Sequence, residues 1–136
     1  GQALQLEYPN FEVIAINDGS SDHTGDVLDR MSVRCANLRV VHLAENQGKA
    51  MALQAGSLVT EAEYLLGIDG DALLDPHAAQ WMNRHFQNNP TVAAVTGNPR
   101  IRNRSTLLGR VQVGEFSSII GMIKRAQRTF GRLFTV

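Results

Sequence analysis

Short apolar runs alternate along the chain with segments that have helical character. The runs are bounded by Asn, Asp, Pro or Gly, which predicts buried strands at residues 11–16, 38–43, 64–68 and 92–97. The intervening segments predict helices after Asp22, at 49–58, at about 76–87 and at about 105–129, and the last apolar residues, 133–136, predict the start of another strand. This alternation is typical of an α/β domain with a mainly parallel sheet.

Length and composition narrow the class of protein. The 136 residues, 43% of them hydrophobic, predict one compact domain over 1–136, and a charged fraction of 19% argues against disorder. No apolar run approaches the roughly 20 residues of a membrane helix, and the single Cys35 excludes an internal disulfide framework. Because the sequence opens on Gly1 and stops within an apolar run, we expect it to be a piece of a longer protein.

The net charge of zero conceals two opposite halves. Residues 1–83 hold twelve of the thirteen carboxylates and four basic residues, a net −8, whereas residues 84–136 hold nine basic residues and one carboxylate, a net +8. Aromatic residues do not alternate with the basic ones as they often do in nucleic-acid binders, so we expect no nucleic-acid partner. The basic half would suit contact with an anionic ligand, with a membrane surface or simply with solvent.

Polar residues stand directly after two of the predicted strands and at the start of one predicted helix. In parallel sheets, ligands bind beyond the carboxyl ends of the strands. Asp18 stands at the first such end, where its carboxylate can accept a hydrogen bond from a ring N–H or a ribose hydroxyl. An ordinary strand–turn–helix connection, with Asp22 capping the helix, accounts for the same residues.

Two further junctions carry charge. Lys49 lies in the first turn of a helix, where the dipole does not favour a cation, so it is predicted either to face an anion such as phosphate or simply to face solvent. Asp69 and Asp71 repel each other, which favours a bound divalent cation, Mg²⁺ or Mn²⁺, bridging to a phosphate; a polar turn is the alternative. Together and in this order along the chain, Asp18, Lys49 and the Asp69–Asp71 pair predict a crevice that binds a nucleotide diphosphate and its metal.

Three segments, residues 11–31, 46–56 and 64–78, together resemble the nucleotide-binding half of the family 2 inverting glycosyltransferases. Residues 94–136 resemble the processive membrane synthases of that family, which are related to the cellulose, chitin and hyaluronan synthases. The resemblance implies a GT-A (Rossmann-like) fold that is incomplete here, without its first strand and its C-terminal part. It also implies transfer of N-acetylglucosamine from UDP-N-acetylglucosamine to a growing β-1,6-linked biofilm polysaccharide.

The resemblance also implies roles for single residues. Asp18 would contact uracil, and Lys49 would lie beside the nucleotide or its phosphates. Asp71 would coordinate the metal, and Asp69 would hold the ribose or share the metal. The general base is expected beyond Val136, so no catalytic residue is assigned within the chain, and the chain alone is not expected to polymerise sugar.

For the whole protein, the resemblance implies an integral protein of the bacterial inner membrane, with this part soluble on the cytoplasmic face. A small membrane subunit and cyclic di-GMP would be further partners. Two other classes stay open: a phosphatase of the haloacid-dehalogenase type, because an Asp-x-Asp follows a strand, and a non-catalytic nucleotide-binding module. The module would bind its phosphates through an arginine cluster, namely Arg100, Arg102 and Arg104.

The sequence also predicts how two strands pair, where Trp81 packs and where the histidines lie. With the family's first strand absent, the strands at 11–16 and 64–68 would pair with each other or through another copy of the chain. Trp81 is expected to pack in the core. The four histidines show no metal-ligand spacing and are expected at the surface: His23, His42, His77 and His85.

Overall fold

The computed structural model describes residues 2–97, in which a short 3-10 turn precedes two strands and three helices. In chain order these are the 3-10 turn Gln2–Gln5, β1 Val13–Asp18, α1 Thr24–Arg34, β2 Leu38–Leu43, α2 Lys49–Leu58 and α3 Ala78–Asn88. The chain divides into two compact units, Gly1–Asn83 and Arg84–Val136. The sheet and all the candidate site residues belong to the first unit, and a single domain over 1–136 stays a prediction.

β1 and β2 form a parallel pair, which confirms the predicted α/β character. Their register runs from Val13 opposite Leu38 to Asp18 opposite Leu43. The prediction for the second strand is confirmed residue for residue, whereas the first strand begins two residues later than predicted. The reason is its partner: β2 starts at Leu38, so the ladder can begin only at Val13, whose N–H donates to Asn37 O at 2.7 Å.

The first two helices lie against opposite faces of this sheet. Successive strand residues point to opposite sides. A Cβ on Gly56 of α2 would lie 2.5 Å from Ile16 Cδ1, and a Cβ on Gly25 of α1 would lie 3.3 Å from Asn17 Nδ2. The neighbours Ile16 and Asn17 therefore face α2 and α1 respectively, which makes a layered helix–sheet–helix arrangement.

All three helices in this part of the chain match their predictions closely. α2 has the predicted bounds, and α3 begins two residues after the predicted start. Asp75 explains the start of α3, because its carboxylate accepts the His77 N–H at 2.9 Å and its carbonyl accepts the Ala78 N–H at 2.9 Å. The acceptor groups of Asp75 thus satisfy backbone donors that a helix start otherwise leaves unpaired.

Two strand predictions are wrong: residues 64–68 and 92–97 form no strand. In the described range β1 pairs only with β2, so the predicted pairing of 64–68 with the first strand is also wrong, while pairing through another copy stays a prediction. A strand is defined by its pairing with another strand, and within residues 2–97 the sheet consists of β1 and β2. Leu65 is accordingly 62% exposed.

The interior of this part of the chain is small. Leu38 and Ala52 are its buried hydrophobic residues, and Asn17 is its buried polar one. Trp81 is 59% exposed, so its predicted core position is wrong. Within residues 2–97, no helix combines the length and apolar character needed to cross a bilayer. The predicted helix at 105–129, the strand at 133–136 and the arginine cluster lie outside the described residues.

Candidate functional site

Asp18, the last residue of β1, holds the loop that precedes α2. Its Oδ1 accepts the Gln47 N–H at 2.8 Å, and its Oδ2 accepts the Gly48 N–H at 2.9 Å. Charge-assisted hydrogen bonds of this kind are stronger than neutral ones. The carboxylate therefore links the carboxyl end of β1 to the start of α2, at the sheet edge where the sequence predicts a ligand.

Two glycines allow the loops after β1 and β2 to approach each other. Gly19 has φ +64° and Gly48 has φ +86°, both in the left-handed region that favours glycine. A Cβ on Gly19 would lie 2.4 Å from both Asn46 N and Glu45 C, so here one backbone passes directly against the other. The segments 17–20 and 45–48 are therefore in direct backbone contact beyond the carboxyl ends of β1 and β2.

Lys49 begins α2 and extends to Asp69. Its Nζ donates a hydrogen bond to Asp69 Oδ1, although both side chains are more than half exposed. Exposed ion pairs contribute only about 0–1 kcal/mol, so this pair exchanges readily for stronger partners. The sequence predicts either an anion such as phosphate or solvent beside Lys49; in the structure Lys49 pairs with the carboxylate of Asp69, and its proposed role stays a prediction.

Asp69 and Asp71 lie in a turn. The Ala72 N–H donates to Asp69 O at 3.0 Å, and both residues are exposed. Within residues 2–97, no group of three or more His, Cys, Asp or Glu side chains is arranged to hold a metal ion. Two carboxylates supply part of the oxygen shell that Mg²⁺ or Mn²⁺ prefers, and water and substrate oxygens can supply further ligands.

The start of α2 adds a partial positive charge to the same region. No side chain caps its first turn, and Gly48 stands at the N-cap position. Uncapped N–H groups at a helix N-terminus attract anions such as phosphate. Three charged residues lie around this helix start: Asp18, Lys49 and Asp69. Asp71 lies two residues after Asp69 in the same turn.

Sequence reasoning missed a second set of polar residues next to Asp18. Asn17 is 8% exposed, and its Nδ2 lies 3.1 Å from His42 Nδ1. His42 Nε2 in turn lies 2.9 Å from Asp29 Oδ1. His42 is exposed, as predicted, but the prediction gave it no partners. The sequence offered no signal for this pair, because the first strand is predicted at 11–16 and only the register of β1 on β2 places Asn17 opposite His42.

A parallel α/β sheet with a carboxylate, a helix start and an Asp-x-Asp at one edge is consistent with an enzyme that binds nucleotide sugars. The model of the glycosyl transferase family 2 matches residues 2–135, and the chain belongs to this family. Residue for residue, it is 44% identical over 98% of its length to the poly-β-1,6-N-acetyl-D-glucosamine synthase of Staphylococcus epidermidis. It is 41% identical over the same share to the synthase of that name from Staphylococcus aureus.

The chain spans about a third of the length of these curated relatives, 32% in both cases. No solved structure matches the chain. Membership of the family confirms the predicted fold class and sets aside the phosphatase alternative, which belongs to a different fold family.

Proposed function

We propose that this chain is the nucleotide-sugar-binding part of an enzyme that transfers N-acetylglucosamine from UDP-N-acetylglucosamine to a growing β-1,6-linked polysaccharide of biofilms. The observation that carries the proposal is the 44% identity over 98% of the chain to a poly-β-1,6-N-acetyl-D-glucosamine synthase. The juxtaposition of Asp18, Lys49 and Asp69 around the start of α2 supports it. By resemblance, Asp18 suits the uracil, Lys49 the diphosphate, and Asp69 the ribose or the metal ion.

Asp18 is proposed to recognise the uracil ring. Each carboxylate oxygen can accept two hydrogen bonds, and the amides of Gln47 and Gly48 use one on each oxygen. One acceptor position on each oxygen stays available for the ring N–H. The same two amide bonds hold the carboxylate still, which lowers the entropic cost of binding the base.

Lys49 and the first turn of α2 are proposed to face the diphosphate. The first 83 residues carry a net −8, so a nucleotide diphosphate meets repulsion there unless local positive charge offsets it. Lys49 lies at this edge of the sheet, and its weak pair with Asp69 lets the ammonium turn toward a phosphate.

Enzymes of this family generally use a divalent metal ion, and Asp69 and Asp71 are the residues proposed to hold one, Mg²⁺ or Mn²⁺. Both carboxylates are exposed, and oxygen ligands are what these ions bind. When bound, such an ion offsets the negative charge of the departing UDP. Lys49 would then leave Asp69 and place its ammonium beside the phosphates, so the lysine and the ion add their charges at the leaving group.

In the whole protein we propose further partners by resemblance: the acceptor polysaccharide, the bacterial inner membrane with this part on its cytoplasmic face, a small membrane subunit and cyclic di-GMP. The general base that takes the proton of the attacking hydroxyl is expected outside residues 1–136. Cyclic di-GMP would require a cationic surface, and the candidate arginines are Arg100, Arg102 and Arg104.

Calorimetry with UDP, with and without MnCl₂, tests the proposed function. We expect UDP to bind only in the presence of the metal, and ADP and GDP to bind more weakly than UDP. Binding of cyclic di-GMP without metal, in the absence of any UDP binding, would instead favour the non-catalytic module. Equal binding of all nucleotides would overturn the assignment of Asp18 to uracil.

Asp71→Asn tests the proposed metal ligand. The amide keeps the shape of the side chain but removes its charge, so we expect the affinity for UDP with Mn²⁺ to fall about tenfold or more, to the value without metal. The melting temperature should stay the same or rise slightly, because the repulsion from Asp69 is relieved. Asp26→Asn, at an exposed carboxylate on α1, is the matched control and should bind UDP as the parent does. Unchanged metal-dependent binding in Asp71→Asn would refute the assignment.

A further inference from the structure

Four polar groups form a continuous hydrogen-bonded chain on the α1 face of the sheet. Asp29 of α1 contacts His42 of β2, His42 contacts Asn17 of β1, and the carbonyl of the Asn17 side chain accepts the Ser20 N–H at 3.1 Å. The last of these bonds closes the turn that contains Asp18. The chain thus runs from the middle of a helix to the loop that carries the proposed uracil ligand.

The backbone at Ser20 dictates the direction of every bond in this chain. A backbone N–H can only donate, so Asn17 must present its oxygen to Ser20 and its NH₂ group to His42. The NH₂ group can only donate, so His42 Nδ1 must be the acceptor. The single ring proton then lies on Nε2, where it donates to Asp29 Oδ1 at 2.9 Å. One assignment, a neutral imidazole protonated on Nε2, satisfies all four groups.

The packing leaves Asn17 little freedom to adopt another arrangement. Its side chain is 8% exposed, and Gly25 of α1 lies against it so closely that a Cβ there would stand 3.3 Å from Nδ2 and 3.5 Å from His42 Cε1. A buried amide that lost its partner would bear the full cost of desolvation. His42 therefore holds Asn17 in the orientation that binds Ser20.

We propose that His42 is a positioning residue for nucleotide binding: through the Nε2-protonated tautomer held by Asp29, it orients Asn17 and so holds the Asp18 loop in its binding conformation. This inference rests on the proposed function for its effect on UDP, but its structural part stands independently of any ligand. His42 touches no proposed substrate group; it acts through Asn17 and Ser20.

The test combines two measurements on the full 136-residue chain. Ring ¹⁵N chemical shifts of the unmodified protein report the tautomer of His42, and hydrogen exchange reports the protection of the Ser20, Gln47 and Gly48 amides. We expect the Nε2–H tautomer at His42. A protonated Nδ1 would overturn the proposal, because the NH₂ group of Asn17 would then face another donor.

Two substitutions of His42 separate positioning from packing. His42→Leu removes the acceptor for Asn17, and we expect protection of the Ser20 amide and the UDP affinity with Mn²⁺ each to fall about tenfold. His42→Asn offers an oxygen near the place of Nδ1 and should restore most of both. His77→Leu is the matched control, since His77 forms a comparable exposed pair with Glu7 at 3.6 Å, and it should change neither.

Each outcome decides the proposal. If His42→Leu leaves the Ser20 amide protected, or if the Asn and Leu variants lose protection equally, His42 serves packing alone and the proposal fails. If His42→Leu does not fold, the tautomer and the His42→Asn variant decide it. If the unmodified chain does not bind UDP, the proposed function fails, whereas the tautomer and the amide protection still settle whether His42 positions the loop.

Discussion

At Gly19 the backbones of the two loops of the candidate site lie directly against each other. Its φ of +64° and the 2.4 Å from a Cβ there to Asn46 N leave no room for a side chain. Gly48 shares the positive φ, but nothing lies within 4 Å of a Cβ there. Of these two glycines, Gly19 is the one that combines a positive φ with a steric collision, whereas Gly48 has only an unusual backbone conformation, φ +86° and ψ 161°.

We expect Gly19→Ala to lower the free energy of unfolding by at least about 2 kcal/mol, because the left-handed backbone costs roughly 1–2 kcal/mol and the collision adds to it. Gly48→Ala meets no collision, so its loss is backbone strain alone, about 1–3 kcal/mol for a conformation that only glycine adopts readily. Urea denaturation measures the loss in each variant. A loss of less than about 1 kcal/mol in Gly19→Ala would mean that the two loops are not in backbone contact.

Asp22 governs a local response to pH. The hydroxyl and the backbone N–H of Thr24 both donate to its carboxylate, which lowers its pKa below the usual 3.8. A lowered pKa in the folded state means that the ionised form is favoured by folding. The stabilisation is therefore present above about pH 4 and is lost as the pH falls through the lowered value.

The contrast between the parent and Asp22→Asn measures this contribution. The amide still accepts the Thr24 N–H but does not titrate, so the stability advantage of the parent should be constant from pH 7 to 5 and should shrink below pH 4. Urea midpoints between pH 2.5 and 7 give the comparison. Thr24→Ala, which lacks the hydroxyl, should show a weaker dependence; an advantage of the parent that grows toward low pH would contradict the assignment.

At the scale of elements, the fold depends on a close contact between α2 and β1. Gly56 is buried in α2, and a Cβ there would lie 2.5 Å from Ile16 Cδ1 and 3.3 Å from Cγ1. Alanine would favour the helix by about 0.5–1 kcal/mol, whereas overpacking costs about 1–3 kcal/mol. Because Ile16 Cδ1 is the far end of a flexible side chain, rotation of Ile16 relieves part of the collision, and the two effects are of similar size.

A double-mutant cycle tests this contact. Gly56→Ala alone should change the free energy of unfolding by no more than about 1 kcal/mol, because helix propensity and overpacking oppose each other, and Ile16→Val alone should lower it by about 0.5–1.5 kcal/mol. Together they should cost less than their sum by about 1 kcal/mol, since valine lacks the Cδ1 methyl that collides. Denaturant melts of the four proteins give the coupling, and additive losses would show that α2 does not approach β1 at this point.

At the scale of the whole molecule, binding should stabilise the native state of the unit that holds the site, Gly1–Asn83. A ligand at about 100 times its Kd adds about 2.7 kcal/mol, which for a chain of this size raises the melting temperature by roughly 5–10 °C. We expect this rise with UDP and MnCl₂ together. EDTA should abolish it and ADP should give a smaller rise, as differential scanning fluorimetry can measure. A rise with UDP that survives EDTA would contradict the metal requirement.

Much of the local structure is determined by the sequence alone. β2 and α2 have their predicted bounds because their signals are local: an apolar run between polar flanks, and an Ala- and Leu-rich segment after Gly48. The positions of Asp18 at the end of β1 and of Lys49 at the start of α2 follow from the same local patterns, whereas Asp69 follows a segment that forms no strand. Their roles, like the metal at Asp69 and Asp71, stay predictions.

Tertiary structure decided what local patterns do not encode. The segment at 64–68 has an apolar run typical of a strand but forms none, because a strand depends on a neighbour that the local sequence does not specify. The hydrogen bonds of Asp18 to Gln47 and Gly48, and of His42 to Asn17 and Asp29, join residues 13 to 30 positions apart. Their partners were set by the register of β1 on β2 and by the packing of α1, since only a folded sheet brings the ends of two strands to one edge.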